Sequence, residues 1–249
     1  MYEKFKLSRC VFFISVICFE GISYSQQPDY KSIFGRDWEK AEAFVTENEI
    51  WMKQLSGKYD VSYPEAVAVV FPELIRYSAL RDKMEITLLK TLYVNLGEDY
   101  ADFSIGQFQI KPTFAESVHN NMPLLKGRLR NQFKEKIRKD DLREYRAAIV
   151  KELEQPESQF LYLIAFIKIC ETIYDLEDIN VDHRLKFLAT AYNYSFQKSP
   201  EDVNKMIDRK FFSTKLFRTD TYSYSDISLY WYTNYLGNHL SRGVSHFPD

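Results

Sequence analysis

From Asp37 to Leu55 the apolar positions recur at helical spacing, with Trp38, Phe44 and Trp51 as anchors and Gly57 marking the end. Polar residues 26–36, with Pro28 and Gly35, read as an arm before that helix. Next, Ser62-Tyr63-Pro64-Glu65 has the spacing of a capping box, with Ser62 as N-cap and Glu65 reaching back. Behind it Ala66 to Phe71 is apolar without interruption, the mark of a helix buried on every face. Pro72 is expected to kink or end that segment, and Leu74 to Tyr93 resumes the helical period. Glu73 is thus a carboxylate at the end of a buried apolar run.

Further along, the segment 126–155 alternates basic and acidic residues and predicts one or two solvated helices, an insertion on the core. Pro156 opens an apolar helix to about Tyr174. Val181 to Phe196 forms another, Pro200 a short one, and Tyr222 to Leu236 an aromatic-rich one with Trp231. No run of strands interrupts this series, so the fold class is mainly α.

The first residues follow a different logic. Lys4, Lys6 and Arg9 precede an apolar stretch from Val11 to Phe19, and Ser23-Tyr24-Ser25 offers small residues before a cut at Gln26. Residues 1–25 therefore read as a secretory signal peptide, which predicts a periplasmic or secreted protein with no stable membrane insertion after cleavage. Its removal leaves Cys170 as the one cysteine, so no internal disulfide is available. The apolar run around Cys170 predicts burial rather than reactivity.

Composition narrows the chemistry further. Across 249 residues the apolar share is 45% and the charged share 27%, as expected of a folded soluble chain. A formal charge of −2 gives no electrostatic basis for binding nucleic acid or an anionic membrane. The four histidines are scattered without metal-ligand spacing, and no phosphate-binding loop, dinucleotide fingerprint or G-x-S-x-G is present. Neither a metal nor a cofactor is expected.

What remains is a carboxylate, a glycine–glutamine loop and an Ala-Tyr-Asn helix end. Tyr59-Asp60-Val61 through Pro64, the apolar helix and Glu73 resemble the segment leading to the catalytic glutamate of lytic transglycosylases and goose-type lysozymes. Gly106-Gln107-Phe108-Gln109-Ile110-Lys111-Pro112-Thr113 is similar to that family's G-x-x-Q-[IM]-x-P-[TS] motif, and Ala191-Tyr192-Asn193 to its Ala-Tyr-Asn motif. The three occur in the family's order across residues 59–196. Leu74 stands where the family has Ser, Tyr194 stands where it has Gly, and the spacings are longer, which marks a divergent member with insertions.

The resemblance implies a lysozyme-like domain over 59–249 that cleaves peptidoglycan glycan strands, with 26–58 as an N-terminal arm and helix. It implies Glu73 as the single acid/base, assisted by the substrate's N-acetyl group, and a 1,6-anhydromuramoyl product formed without water. Tyr192 would orient Glu73. Gln109, Ser104, Gly106 and Asn193 would contact the glycan. Independently of any family, burial beside Val69, Val70 and Phe71 raises a carboxyl pKa and suits Glu73 to donate a proton. Glu85 is a rival acid in more polar surroundings. Asp99 and Asp102 are candidates for the second carboxylate that a hydrolase uses to activate water. The 18 tyrosines and 19 phenylalanines can supply sugar-stacking rings, but most must form core.

Overall fold

The chain is described by a computed structural model over residues 28–79, 83–101, 103–136, 141–176, 178–214 and 220–244. The expected leader 1–25, Asp102 and the side chain of Glu85 lie outside the described residues. The fold is mainly α, as the hydrophobic spacing predicts.

The order begins with α1 (Tyr30–Phe34) and α2 (Arg36–Lys58). The first is part of the residues read as an arm, and it is folded. Asp29 caps it by accepting the Ser32 N–H, and Tyr30 and Phe34 are buried. Their rings meet Tyr222, Tyr230 and Phe212 near the other end of the chain. Aromatic content at a polar stretch explains this: two buried rings outweigh the loop-like neighbours.

Next come α3 (Tyr63–Ala79) and α4 (Lys83–Leu96). Of the two outcomes expected at Pro72, a kink or an end, the helix does not end: α3 runs through it to Ala79. Pro72 still deprives the Ala68 carbonyl of its helical donor. One residue on, the buried Tyr224 hydroxyl donates to the Val69 carbonyl at 3.1 Å. Nor does the capping box close. The Ser62 carbonyl starts the helix by accepting from Ala66 N–H, but the Glu65 carboxylate turns to Arg184 at 3.3 Å.

A hairpin-like loop leads into α5 (Pro112–Asn120), followed by α6 (Gly127–Lys136) and α7 (Leu142–Leu153). These last two belong to the charged segment, and they are not simply solvated. Leu129, Phe133, Ile149, Val150 and Leu153 are buried. Interior polar groups depend on the segment as well. The Tyr145 hydroxyl pairs with His119 Nδ1 at 2.7 Å, Tyr162 pairs with His119 Nε2 at 2.8 Å, and Tyr162 donates to Glu152 at 2.7 Å. Charge count hid an amphipathic inner face.

Helix α8 (Pro156–Ile173) is buried over most of its length and forms the centre of the fold. Cys170 lies within it, free and fully buried, and burial pushes its thiol well above the ordinary range. Helix α9 (Val181–Asn193), α10 (Pro200–Met206), the antiparallel pair β1 (Lys210–Phe212) and β2 (Tyr222–Ser223), and α11 (Tyr224–Val244) complete the order. Helix α3 packs against α2, α9 and α11, which holds Glu73 inside the fold while leaving one side open. No helix among the described residues is long and apolar enough to cross a membrane.

Candidate active site

The glycine–glutamine loop is built from alternating burial. Ile105, Phe108 and Ile110 are buried, whereas Gly106, Gln107 and Gln109 are half-buried. Ile105 N–H donates to the Ile110 carbonyl at 3.0 Å and Ile110 N–H returns the bond at 3.2 Å, closing a four-residue turn. Gly106 and Gln109 both take positive φ, +68° and +49°. A glutamine in the left-handed region is uncommon, and its own side chain helps hold it there: Gln109 Nε2 donates to the Gly106 carbonyl at 2.8 Å.

Two buried side chains fix the tip of this turn. Gln159, fully buried in α8, accepts the Phe108 N–H on Oε1 at 2.9 Å and donates through Nε2 to the Leu153 carbonyl at 2.5 Å. The Tyr192 hydroxyl donates to the Phe108 carbonyl at 2.8 Å. Both backbone groups of one residue are thus satisfied by side chains from two other helices. Gln159 is legible in hindsight, since a glutamine within an apolar helix must find partners.

Beside this turn lies a cleft of about 540 Å³. Its walls include Glu73 and Arg76 from α3, Ser104 and Gln109 from the loop region, and Tyr192, Asn193 and Tyr194 at the end of α9. Four of the sequence candidates around Glu73 therefore meet it in one cavity: Ser104, Gln109, Tyr192 and Asn193. Gly106 does not. It lines a second cleft of about 830 Å³ on the other side of the turn, with Phe44, Tyr77 and Gln107. A Cβ on Gly106 would sit 1.7 Å from Gln159 Nε2, so glycine is needed there for close packing and positive φ rather than for a ligand.

Glu73 is 4% exposed. Arg76, one helical turn on, places Nη1 at 2.8 Å from Oε1 and 2.9 Å from Oε2. The same guanidinium lies over the Phe212 ring, 4.7 Å from its centroid. Burial pushes the Glu73 carboxyl above its ordinary value, and the positive charges of Arg76 and Lys111 only partly offset it. Tyr192 was expected to orient Glu73. Its hydroxyl goes to the loop, and the hydrogen-bond partner of Glu73 is Arg76. A tyrosine on a neighbouring helix was the more visible residue, but the i,i+3 neighbour has the shorter reach.

Asp99 is exposed and does not line this cleft. The other carboxylates in its wall are Glu98 and Glu116, the latter accepting from Tyr93 at 2.5 Å. The remaining lining is rich in neutral amides and hydroxyls, and Gln197 reaches Ser117 at 3.0 Å across it. Such groups suit hydroxyl and acetamido partners, while a buried carboxyl with a raised pKa suits proton transfer.

The raised pKa sets a stability test. Folded Glu73 holds its proton to higher pH than the unfolded chain does, so the protein loses stability as pH rises from the ordinary carboxyl value toward the raised one. The slope of this one-proton effect is at most about 1.4 kcal/mol per pH unit. Glu73→Gln cannot ionise, so its unfolding free energy relative to wild type is expected to improve across that window. Denaturant unfolding of both proteins from acid to neutral pH measures the difference, and parallel curves would contradict it.

Comparison with protein families, with characterised proteins and with solved structures finds no match.

Proposed function

We propose that this chain is an exported enzyme of lysozyme-like fold that breaks the MurNAc–GlcNAc bond of peptidoglycan glycan strands as a lytic transglycosylase. The observation that carries the reading is the meeting of Glu73, Gln109, Tyr192 and Asn193, contributed by separate parts of the chain, in one cleft with Glu73 buried at its wall. In this reading the protonated Glu73 gives its proton to the leaving glycosidic oxygen as the substrate's acetamido oxygen bonds to the anomeric carbon. The resulting Glu73 carboxylate then takes the proton of the muramoyl 6-hydroxyl, whose oxygen closes on the anomeric carbon and releases the acetamido group. Atoms balance without water, a cofactor or a second carboxylate. Tyr192 contributes by fixing the loop that carries Gln109, and Gln109, Asn193 and Ser104 offer polar contacts to the sugar.

One observation favours a second reading, a wall-binding protein of the same fold without turnover. Arg76 contacts both Glu73 oxygens and so favours the ionised form that cannot donate a proton. Leu74 and Tyr194, which depart from the family's pattern, point the same way. Mass spectrometry of soluble material after incubation with purified peptidoglycan separates the two. Anhydro-muropeptides are expected. Reducing ends would mean hydrolysis and turn attention to Glu98 and Glu116, and sedimentation with the wall without soluble product would mean binding alone.

A further inference from the structure

Immediately after α9, where the resembling motif has glycine, the chain places Tyr194. The residue is 44% exposed and lines the cleft that holds Glu73. It also lines a small adjoining cavity of about 70 Å³, together with Thr190, Asn193, Arg209 and Phe211. Phe211 is 62% exposed, in a chain whose phenylalanines are mostly buried. The pairing of β1 with β2 shifts register between Lys210 and Phe212, so Phe211 falls at a bulge and faces out while Phe212 is buried beneath Arg76. Among the described residues neither Tyr194 nor Phe211 meets another aromatic ring, and the Tyr194 hydroxyl has no partner. Exposing two large rings on one rim costs solvation and gains no packing.

We infer that Tyr194 and Phe211 form an aromatic platform that stacks a pyranose ring of an N-acetylhexosamine chain, extending the Glu73 cleft past Asn193. The occupant follows from continuity with that cleft. The apolar face of a sugar ring covers aromatic carbon, and its hydroxyl rim meets the exposed Asn193 and Arg209. The inference rests on the glycan reading proposed above, and it concerns binding rather than bond cleavage.

The test is titration calorimetry of the purified protein with N-acetylglucosamine trimer and hexamer. The hexamer is expected to bind more tightly than the trimer. Tyr194→Ala and Phe211→Ala should each weaken hexamer binding about tenfold, leave the trimer unchanged and keep the wild-type melting temperature. Tyr194→Trp should retain hexamer affinity. Hexamer affinity unchanged in both alanine variants would overturn the platform and leave the cleft reading standing. Failure of the wild type to bind either oligomer would overturn the platform, while the cleft reading is decided by the products released from peptidoglycan. Loss of cell-wall cleavage with this binding pattern intact supports the platform and moves the protein to the wall-binding reading.

Discussion

Glu73→Gln is expected to slow release of soluble products from purified peptidoglycan by about 10²- to 10⁴-fold, the range for losing a general acid. The substitution keeps the side chain's size at a site 4% exposed, so the loss is one of proton transfer rather than folding. Product release should also fall on the alkaline side as the raised Glu73 pKa is passed, because the acid must hold its proton. Arg76 gives a second handle on the same group. Its charge and its hydrogen bonds hold the Glu73 carboxyl lower than burial alone would. Arg76→Gln should therefore move the alkaline limb to higher pH, a shift that a merely structural role would not produce. Full turnover by Glu73→Gln would sink the assignment of the acid. An unmoved limb in Arg76→Gln would remove Arg76 from the control of its pKa.

Gly106→Ala is expected to lower stability by about 4 kcal/mol, or about 10 °C in melting temperature for a chain of this size. Two costs combine. The first is a Cβ in the left-handed region, about 1–2 kcal/mol. The second is displacement of the Gln159 amide, which a new Cβ would approach to 1.7 Å. A flexible surface side chain would swing aside at little cost. Gln159 is fully buried and joined to Phe108 N–H and the Leu153 carbonyl, so moving it leaves polar groups unpaired at about 1–3 kcal/mol each. The double-mutant cycle is the measurement. In a Gln159→Ala background the space is already vacated, and Gly106→Ala should then cost only the backbone share. Additive losses would mean that the two positions act independently.

What local residue patterns encode and what packing adds divide along the range of the forces involved. Helix periods such as Pro156–Ile173 and Val181–Asn193 are local, since a 3.6-residue repeat and a proline at the first turn write themselves into neighbouring residues. The buried setting of Glu73 was legible for the same reason, because an uninterrupted apolar run must be covered on all sides. Local signals misled where one face of an element carried the meaning. The charged segment hides buried Ile149, Val150 and Leu153, and the arm hides Tyr30 and Phe34.

Partner choice was the other boundary. Glu65 had a near partner in the Ser62 backbone by spacing and went to Arg184 instead, and Tyr192 sat near Glu73 in the motif order yet bonds Phe108. A polar side chain settles on whichever donor or acceptor the packed helices bring within reach, and no spacing along the chain encodes that. A mainly helical chain, a buried carboxylate and a glycine turn opening a helix were all encoded in local residue patterns. It took the packing of distant helices to bring Ser104, Gln109, Tyr192 and Asn193 into one cleft with Glu73, to set Gly106 against Gln159, and to leave Arg76 as the partner of the carboxylate. Those outcomes depend on how α3, α8 and α9 pack against one another, because burial fixes the helices first and their polar groups pair within the space that packing leaves.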